Sequence, residues 1–538
     1  MKIFAPINKD AYKIGHKDQY APGTEVVYSN ITARSGTHSN IPGSTGVVFI
    51  GMSYVCQSLL IESWNDTFFS QDIDVVVDKY QKYVSHVLGY MVSVEHMREL
   101  HKLGYLPVEI RALPEGSFVP YRVPMVTVKN TLPEFFWVTN MLETQLSAET
   151  WGMITSATTY NAYRLKFIEY AEKTGADVAG VPFQGHDFSM RGMSSCQSAA
   201  TGSFAALAAG SLGTDTLPAL QLAVDYYGAS LDDELIAGSV NATEHSVMCS
   251  NSKDSEIGTF QRLMNETYPS GILSIVSDTW DFWKVVTEYL PELKDEILAR
   301  DGKLVIRPDS GDPVDIICGY KVCYQKDMVA DTMFHMLEAE GYKAYEHGDG
   351  DIYEVGSAPG LWGSSPVPRA EQKGLVECLW DTFGGTINDA GYKVLNEKIG
   401  AIYGDSITLE RQEQILSKLE EKGFCSSNIV LGIGSYTYQM VTRDTHGMAI
   451  KATYVEINGE GVEIFKDPKT DNGVKKSAKG LLQVVSYDDG RLLKLVDQAT
   501  PAEANTGALK LIFKDGKMIE TPTLQEVRDQ VIKTCTGV

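Results

Sequence analysis

The stretch LVIRPDSGDP, residues 304–313, begins as a buried strand would and then runs into arginine, two aspartates, serine, glycine and two prolines. Side chains alternate along a strand, so Arg307 and Asp309 share a face, and Pro308 stiffens the backbone between them. A cation and an anion held side by side suit a reaction that separates charge; a local ion pair closing the rim of a fold is the plain alternative. Two more strand-like segments end in glycine and polar residues: KIGAIYGD, with Gly404 and Asp405, and NIVLGIGS, reaching Gly434, 29 residues beyond Asp405. Each glycine signal alone reads first as a tight turn after a strand. Together, each ahead of a helical pattern, they offer backbone N–H groups and helix N-termini to a phosphate. Arg443 and Lys451 follow shortly downstream and would complete an anion pocket if they fold back.

The elements that must position these residues follow a rhythm. From about residue 178, apolar segments run into polar punctuation at Asp187, Asp215, His245, Asp278 and Asp309, at spacings of 28, 30, 33 and 31. One βα unit takes about that many residues, and strands alternating with helices predict a parallel sheet. Polar residues recurring at strand ends match the ligand-binding face of a barrel, or of a doubly wound sheet; singly, each reads first as a helix N-cap, and it is their recurrence that points to a site. Between Asp309 and Asp405 the rhythm breaks around a Gly-, Pro- and Ser-rich segment, which predicts an insertion near 328–393. Before residue 178, EVVYSNITAR, VVFIGM and PMVTVKN read as strands and ETQLSAETWGMITSATTYNAYRLKFIEYAEKTG as a long helix. The C-terminal segments ATYVEING, GVEIFKD, LLQVVSYD and ALKLIFKDGK read as strands joining that first layer. The expected organisation is therefore α/β: a sandwich-like domain from 1–177 and 436–538, and an irregular βα barrel over 178–435.

Bulk composition agrees with a large folded chain. At 538 residues it exceeds one ordinary core, and 43% hydrophobic with 22% charged residues is a globular balance. A formal net charge of -23 argues against nucleic acid as a partner, though a few converging cations can still hold a phosphate. No run approaches the roughly 18 apolar residues of a membrane span, and MKIFAPINKDAYKIG lacks the pattern of a secretory signal. Eight scattered cysteines without CxxC spacing suit a reducing compartment, so the expectation is a cytoplasmic protein without membrane contact.

In order along the chain, HDFSMRGMSS, GTDT, EHS, IVSD, RPDSGDP, YGDS, LGIGS, TRD and FKDP resemble the nicotinamide-specific members of the type II phosphoribosyltransferase family. The resemblance starts at DAYKIGHKDQYAPGT and spans nearly the whole chain. It implies an irregular βα barrel beside a sandwich-like domain, and a homodimer with active sites at the interface. The implied reaction joins nicotinamide to phosphoribosyl pyrophosphate in NAD salvage, with Mg²⁺ arriving on the pyrophosphate and ATP as an optional coupling substrate. Loss of pyrophosphate builds positive charge on the ribose, so anionic groups near the sugar and cations on the leaving phosphates are needed together.

By the same resemblance, Arg307 covers the pyridine ring and reaches phosphate, while Asp309 serves the ribose and the leaving-group side. Phe188 stacks on the other ring face, Tyr12 comes from the second subunit, and Ser274 joins the nicotinamide contacts. Asp215 accepts from the carboxamide NH2; a nicotinate carboxylate would meet it as a like charge, at about 4 kcal/mol for 4 Å and an effective dielectric near 20. Arg34, Arg191, Arg443 and Lys451 match phosphate and pyrophosphate contacts, Gly404, Asp405, Gly434 and Ser435 the ribose phosphate loops, and Asp278 a carboxylate near ribose and metal. His245 matches a histidine that the family phosphorylates with ATP.

The chain departs from the family where GIGSY replaces a GSGGG run, placing Ser435 at a glycine position, and where Ala449 replaces a serine. The insertion is also longer than in animal members. The rival readings are nicotinate phosphoribosyltransferase, separated by Asp215, and a metal-dependent barrel hydrolase using His186, Asp187 and His245, for which no HxH or HExxH motif appears.

Overall fold

The computed structural model of the chain describes residues 3–324, 331–348, 350–357, 365–404, 406–465 and 478–535. Six strands form a parallel sheet in the order Gly185–Asp187, Ile429–Ile433, Ile399–Tyr403, Asp301–Arg307, Ser270–Val276 and Asn241–Ala242. Single parallel bridges, Asp187 to Thr214 and Gly213 to Gly238, carry the sheet round from its first strand to the segment leading into its last. The result is a curled, irregular βα barrel. GTDT, read as a strand end, supplies only these bridges rather than a regular strand.

Alternation decides what the barrel presents. On Asp301–Arg307, Leu304 and Ile306 are fully buried, while Lys303, Val305 and Arg307, on the other face, are only partly so. Gly400 pairs with Val305, and a Cβ there would lie 3.2 Å from the Lys303 stem, so the bare α-carbon leaves these side chains room. Ile272, the neighbour of Lys303, is 45% exposed. This face is open, unlike the packed interior of a regular eight-stranded barrel.

The second sheet has seven antiparallel strands in the order Glu460–Glu463, Ala449–Ile457, Thr24–Thr32, Pro124–Asn130, Val108–Ala112, Lys510–Lys514 and Lys517–Met518. Strands from both ends of the chain meet in it. LLQVVSYD does not join them: Leu481–Tyr487 pairs with Leu492–Ala499 in a separate ribbon. The physical reason is the turn, where Asp488 and Asp489 both adopt positive φ, 47° and 53°, and fold the strand back on itself.

The 32-residue helix Glu143–Thr174 binds the two sheets together. Every residue from Met153 to Asn161 is buried, so the helix lacks a solvent stripe. Its threonines remain soluble in this core because their hydroxyls bond back to carbonyls one turn earlier, as Thr155 to Trp151 and Thr159 to Thr155. Toward the first layer Thr158 Oγ1 accepts the Val48 N–H at 2.9 Å, and toward the barrel Tyr163 donates to the Ile407 carbonyl at 2.9 Å. The helix stops at Gly175 with φ 69°, which places the chain on its way into the barrel.

The stretch over which an insertion is predicted, 328–393, with the residues just before it, contains two kinds of structure. Val322–Cys323, Ala344–Glu346 and Ile352–Glu354 form a small sheet with its own core of Cys323, Leu337, Tyr345 and Tyr353. The helix Leu375–Phe383 instead packs into the main core through Leu375, Val376 and Leu379.

One loop of the second sheet is held by a buried histidine. His446 is fully buried, its Nδ1 lies 2.9 Å from the Tyr121 hydroxyl, and that hydroxyl bonds Ser44 at 2.7 Å. Its carbonyl accepts the backbone N–H of Arg34 at 3.1 Å. Burial lowers the imidazole pKa to about 4. Below its ordinary value near 6.5 the unfolded chain takes up a proton that the folded chain refuses, so stability is lost as pH falls through that window. The contribution is on the order of 3 kcal/mol. Urea unfolding should therefore show a midpoint that drops between about pH 6.5 and 4, and the drop should be shallower in His446→Phe.

Candidate active site

The charged strand ends of the opening stretch are locked to each other. Asp301–Arg307 and Ser270–Val276 run in register with Val276 opposite Arg307, and the Ser277 N–H donates to the Arg307 carbonyl at 2.9 Å. One residue on, Asp278 Oδ2 accepts the Asp309 N–H at 2.9 Å and the Ser310 hydroxyl at 2.6 Å. The Arg307 guanidinium meets Asp309 Oδ2 at 3.4 Å through a single nitrogen. That is not the bidentate pair a rim closure would use, and Arg307 Nε is buried without a hydrogen-bond partner among the described residues. The cation keeps donors for something else.

His245, at the start of the helix His245–Ser250, faces both carboxylates. Its Nε2 lies 3.8 Å from Asp278 Oδ1 and 3.9 Å from Asp309 Oδ2, and its Nδ1 is 3.2 Å from the Thr279 hydroxyl. The ring is 49% exposed, whereas Asp278 is 3% exposed, with an Oδ1 that has no hydrogen-bond partner among the described residues. Gly404 closes the group: a Cβ there would sit 1.9 Å from Asp309 Oδ1 and 3.4 Å from the Arg307 stem. Asp405 lies outside the described residues.

A second cluster gathers around Asp215. Its Oδ1 accepts from His186 Nε2 at 2.9 Å and from the Ser239 hydroxyl at 2.5 Å. Burial alone would raise this carboxyl, but those hydrogen bonds, with the charges of His186 and Arg307, bring it below its ordinary value. The Phe188 ring packs against the His186 ring at 4.5 Å. Ser274, opposite Val305 and so on the open face below Arg307, is buried with an unpartnered hydroxyl. Sequence reasoning missed Ser239 and the pairing of His186 with Asp215; the HD pair in QGHDFS was a visible signal, but it pointed equally to a metal.

Of the three residues weighed for a hydrolase metal, Asp187 and His186 are otherwise engaged. Asp187 accepts from the Ser189 N–H at 2.9 Å, Thr214 at 2.7 Å, Thr216 at 3.0 Å and the Ser203 hydroxyl, which saturates it. His186 serves Asp215. No group of three His, Cys, Asp or Glu residues able to hold a metal ion occurs among the described residues.

The remaining predicted residues form the surroundings. Gly434 caps the short helix Ser435–Gln439, and Ser435 rests on Gly192, where a Cβ would come within 1.9 Å of its hydroxyl. Arg191 is exposed in that same turn, Met190–Gly192. Lys451 lies in the seven-stranded sheet, paired with Asn30, while Arg34 and Arg443 sit in loops beside it: Arg34, just past Thr24–Thr32, donates from Nε to the Gly447 carbonyl at 2.8 Å, and Arg443, in the turn before Ala449–Ile457, is 54% exposed beside Asp444. Tyr12 is 63% exposed; its ring contact within the chain is with His16 rather than Phe188, and Arg443 is near enough to act on its hydroxyl.

Charged strand ends on a parallel barrel, beside a sheet carrying further cations, define the architecture of a phosphoribosyl-transferring class. Residues 183–504 match the model of the nicotinate phosphoribosyltransferase family, and residues 5–110 match the nicotinamide phosphoribosyltransferase N-terminal domain. The chain is 47% identical over 536 residues to a nicotinamide phosphoribosyltransferase from Acinetobacter baylyi, covering 98% of this chain and 97% of that one. A second relative of that name, from Xanthomonas campestris, is 32% identical over 533 residues, with 97% of both chains covered. The crystal structure of nicotinate-nucleotide pyrophosphorylase from Pyrococcus furiosus shares the fold, with a TM-score of 0.51, 14% identity and coverage of 99% of this chain and 95% of that one. The protein belongs to the nicotinate phosphoribosyltransferase family, on the side of its nicotinamide-named relatives. It is a pentosyltransferase. No described helix is long and apolar enough to cross a membrane.

Gly404 offers a test of the geometry that does not touch a charge. Gly404→Ala should push Asp309 aside and lower kcat by about 100-fold, the scale of a 1 Å misplacement at a reacting centre. Thermal melting should change little, and steady-state phosphoribosyl transfer kinetics check the loss.

Proposed function

We propose that the protein transfers phosphoribosyl from phosphoribosyl pyrophosphate to nicotinamide, forming nicotinamide mononucleotide and pyrophosphate. The observation that carries this reading is the meeting of Arg307, Asp309, Asp278 and His245 at three adjacent strand ends. The pyridine nitrogen attacks the anomeric carbon as its bond to pyrophosphate breaks, and positive charge builds on the ribose. Asp309 and Asp278 provide the negative field for that charge, while Arg307 draws off the departing diphosphate. Arg191 and, from the second sheet and the loops beside it, Lys451, Arg34 and Arg443 hold the phosphates. The chain turns at Gly404 and at Gly434–Ser435 receive the ribose phosphate.

Asp215 selects the acceptor. Its carboxylate, ionised and 43% exposed, accepts from a carboxamide NH2 and repels a carboxylate. Phe188 offers a ring face beside it, and Ser274 an unpartnered hydroxyl beneath. The exposed Tyr12 and Arg443 are the groups a second copy would contribute to a shared site, so the working unit is a homodimer. Eight free cysteines fit a cytoplasmic setting.

Mg²⁺ fits this site as a partner of the pyrophosphate. The buried Asp278 Oδ1, without a hydrogen-bond partner among the described residues, is an acceptor that a hydrated cation satisfies, with Asp309 beside it. When bound, the ion would neutralise the leaving group. His245, half exposed with its Nε2 toward two carboxylates, would accept a phosphoryl group from ATP and so couple ATP hydrolysis to the transfer.

The direct test incubates the protein with phosphoribosyl pyrophosphate, Mg²⁺ and either nicotinamide or nicotinate, with and without ATP, and follows mononucleotide formation. Nicotinamide should be the better acceptor; equal or better use of nicotinate would favour nicotinate phosphoribosyltransferase. In Asp215→Asn the preference should narrow about tenfold, because a half-exposed like charge is worth only a kcal/mol or two after screening.

A further inference from the structure

Asp215 is not left to solvent on both oxygens. Both protein donors, His186 Nε2 at 2.9 Å and Ser239 Oγ at 2.5 Å, converge on Oδ1. Oδ2 has no protein donor among the described residues. An ionised carboxylate can only accept, so the imidazole proton must sit on Nε2. The other ring nitrogen, Nδ1, faces Gly213, where a Cβ would come within 2.8 Å of it. The imidazole is thus wedged between the bare α-carbon of Gly213 and the ring of Phe188, 4.5 Å away and tilted by 42°. His186 itself is 12% exposed, and its backbone lies in register with Gly432 in the parallel sheet.

We propose that His186 is a positioning residue for acceptor selection: it pins one oxygen of Asp215 and turns the other toward the carboxamide of the bound ring. The inference rests on the reading of Asp215 as the carboxamide acceptor. Pinning has two consequences. The carboxylate loses its rotational freedom, so its free oxygen is preorganised for an NH2 donor. The Nε2 donor also stabilises the ionised form, which is the form that repels an acid in place of the amide. Gly213 serves the same end, since any side chain there would displace the imidazole. Ser239 alone could not hold the orientation, because a rotatable hydroxyl fixes neither the plane nor the tilt of the carboxylate.

The test compares His186→Leu, His186→Gln, Gly213→Ala and Asp215→Asn in steady-state assays with nicotinamide and with nicotinate, each protein first checked by thermal melting. His186→Leu should raise the KM for nicotinamide about tenfold, with kcat changed less than about threefold and the KM for phosphoribosyl pyrophosphate unmoved. Its nicotinamide-over-nicotinate preference should narrow about tenfold. His186→Gln, whose side-chain amide can donate from the place of Nε2, should restore most of both values. Gly213→Ala, which keeps the imidazole but moves it, should resemble His186→Leu. If Asp215→Asn erodes the preference and His186→Leu does not, the positioning role is overturned and the carboxamide reading stands. If neither variant alters the preference, the carboxamide reading itself falls. Should His186→Leu fail to fold, the ¹⁵N resonances of His186 in the wild-type protein decide. Nicotinamide should shift the Nε2–H signal while leaving the tautomer intact, and Asp215→Asn should abolish that shift; a signal indifferent to nicotinamide overturns the proposal.

Discussion

Two carboxylates and a guanidinium cannot share a small volume unless the backbone forces them together and hydrogen bonds compensate the repulsion. Asp278 and Asp309 stand at the ends of neighbouring parallel strands, so register alone fixes their separation. The Asp309 N–H and the Ser310 hydroxyl spend their donors on Asp278, which lets a carboxylate that is 3% exposed stay tolerable. The single long contact from Arg307 to Asp309 balances the second acid without consuming the cation. Gly404 is part of the same constraint, because a methyl group in its place would occupy the position of Asp309 Oδ1. The site is therefore a property of three adjacent strands rather than of any one motif.

The same alternation organises the neighbouring strand end. His186, Asp187 and Phe188 are consecutive, so the outer two point away from the middle one. Asp187 turns into the protein, where four donors from the 189 turn, the helix Cys196–Ala208 and the 214–216 segment hold it. His186 and Phe188 are left together on the opposite face, ring against ring. A saturated buried carboxylate thus acts as the anchor that makes its two neighbours rigid.

This division explains what could be read from the sequence. Apolar runs ending in polar residues at βα spacing located four of the barrel's six strand ends, at Asp187, His245, Asp278 and Asp309, and the two glycine turns located the others, because alternation and turn chemistry are local. The bridge at 213–214 was not legible as such: it spans two residues and depends on partners 27 and 25 positions away. Ser239 was missed for a related reason, since a serine in a loop gives no sign that it meets Asp215. Asp187 looked like its fellow strand-end acids, and burial does not separate it from Asp278; what does is saturation by four donors, where Asp278 keeps an Oδ1 unpartnered among the described residues. Among the C-terminal strands, the two-aspartate turn of YDDGR held the information that LLQVVSYD folds on itself, but the hydrophobic pattern outweighed it.

The second sheet contributes by rigidity as much as by charge. Arg34 and Arg443 lie on segments that would be mobile in isolation, yet the carbonyls of His446 and Gly447 take up the Arg34 N–H and Nε. His446 can be buried there because Tyr121 satisfies one ring nitrogen and stacks on the ring at 6.1 Å. The guanidinium of Arg443 and the ring of Tyr12 nevertheless remain in solvent, 54% and 63% exposed. A stiffened backbone spares a ligand or a second subunit the cost of ordering the main chain, leaving only the rotamers of the side chains it reaches to be fixed, which is why the buried histidine matters to a surface it never touches.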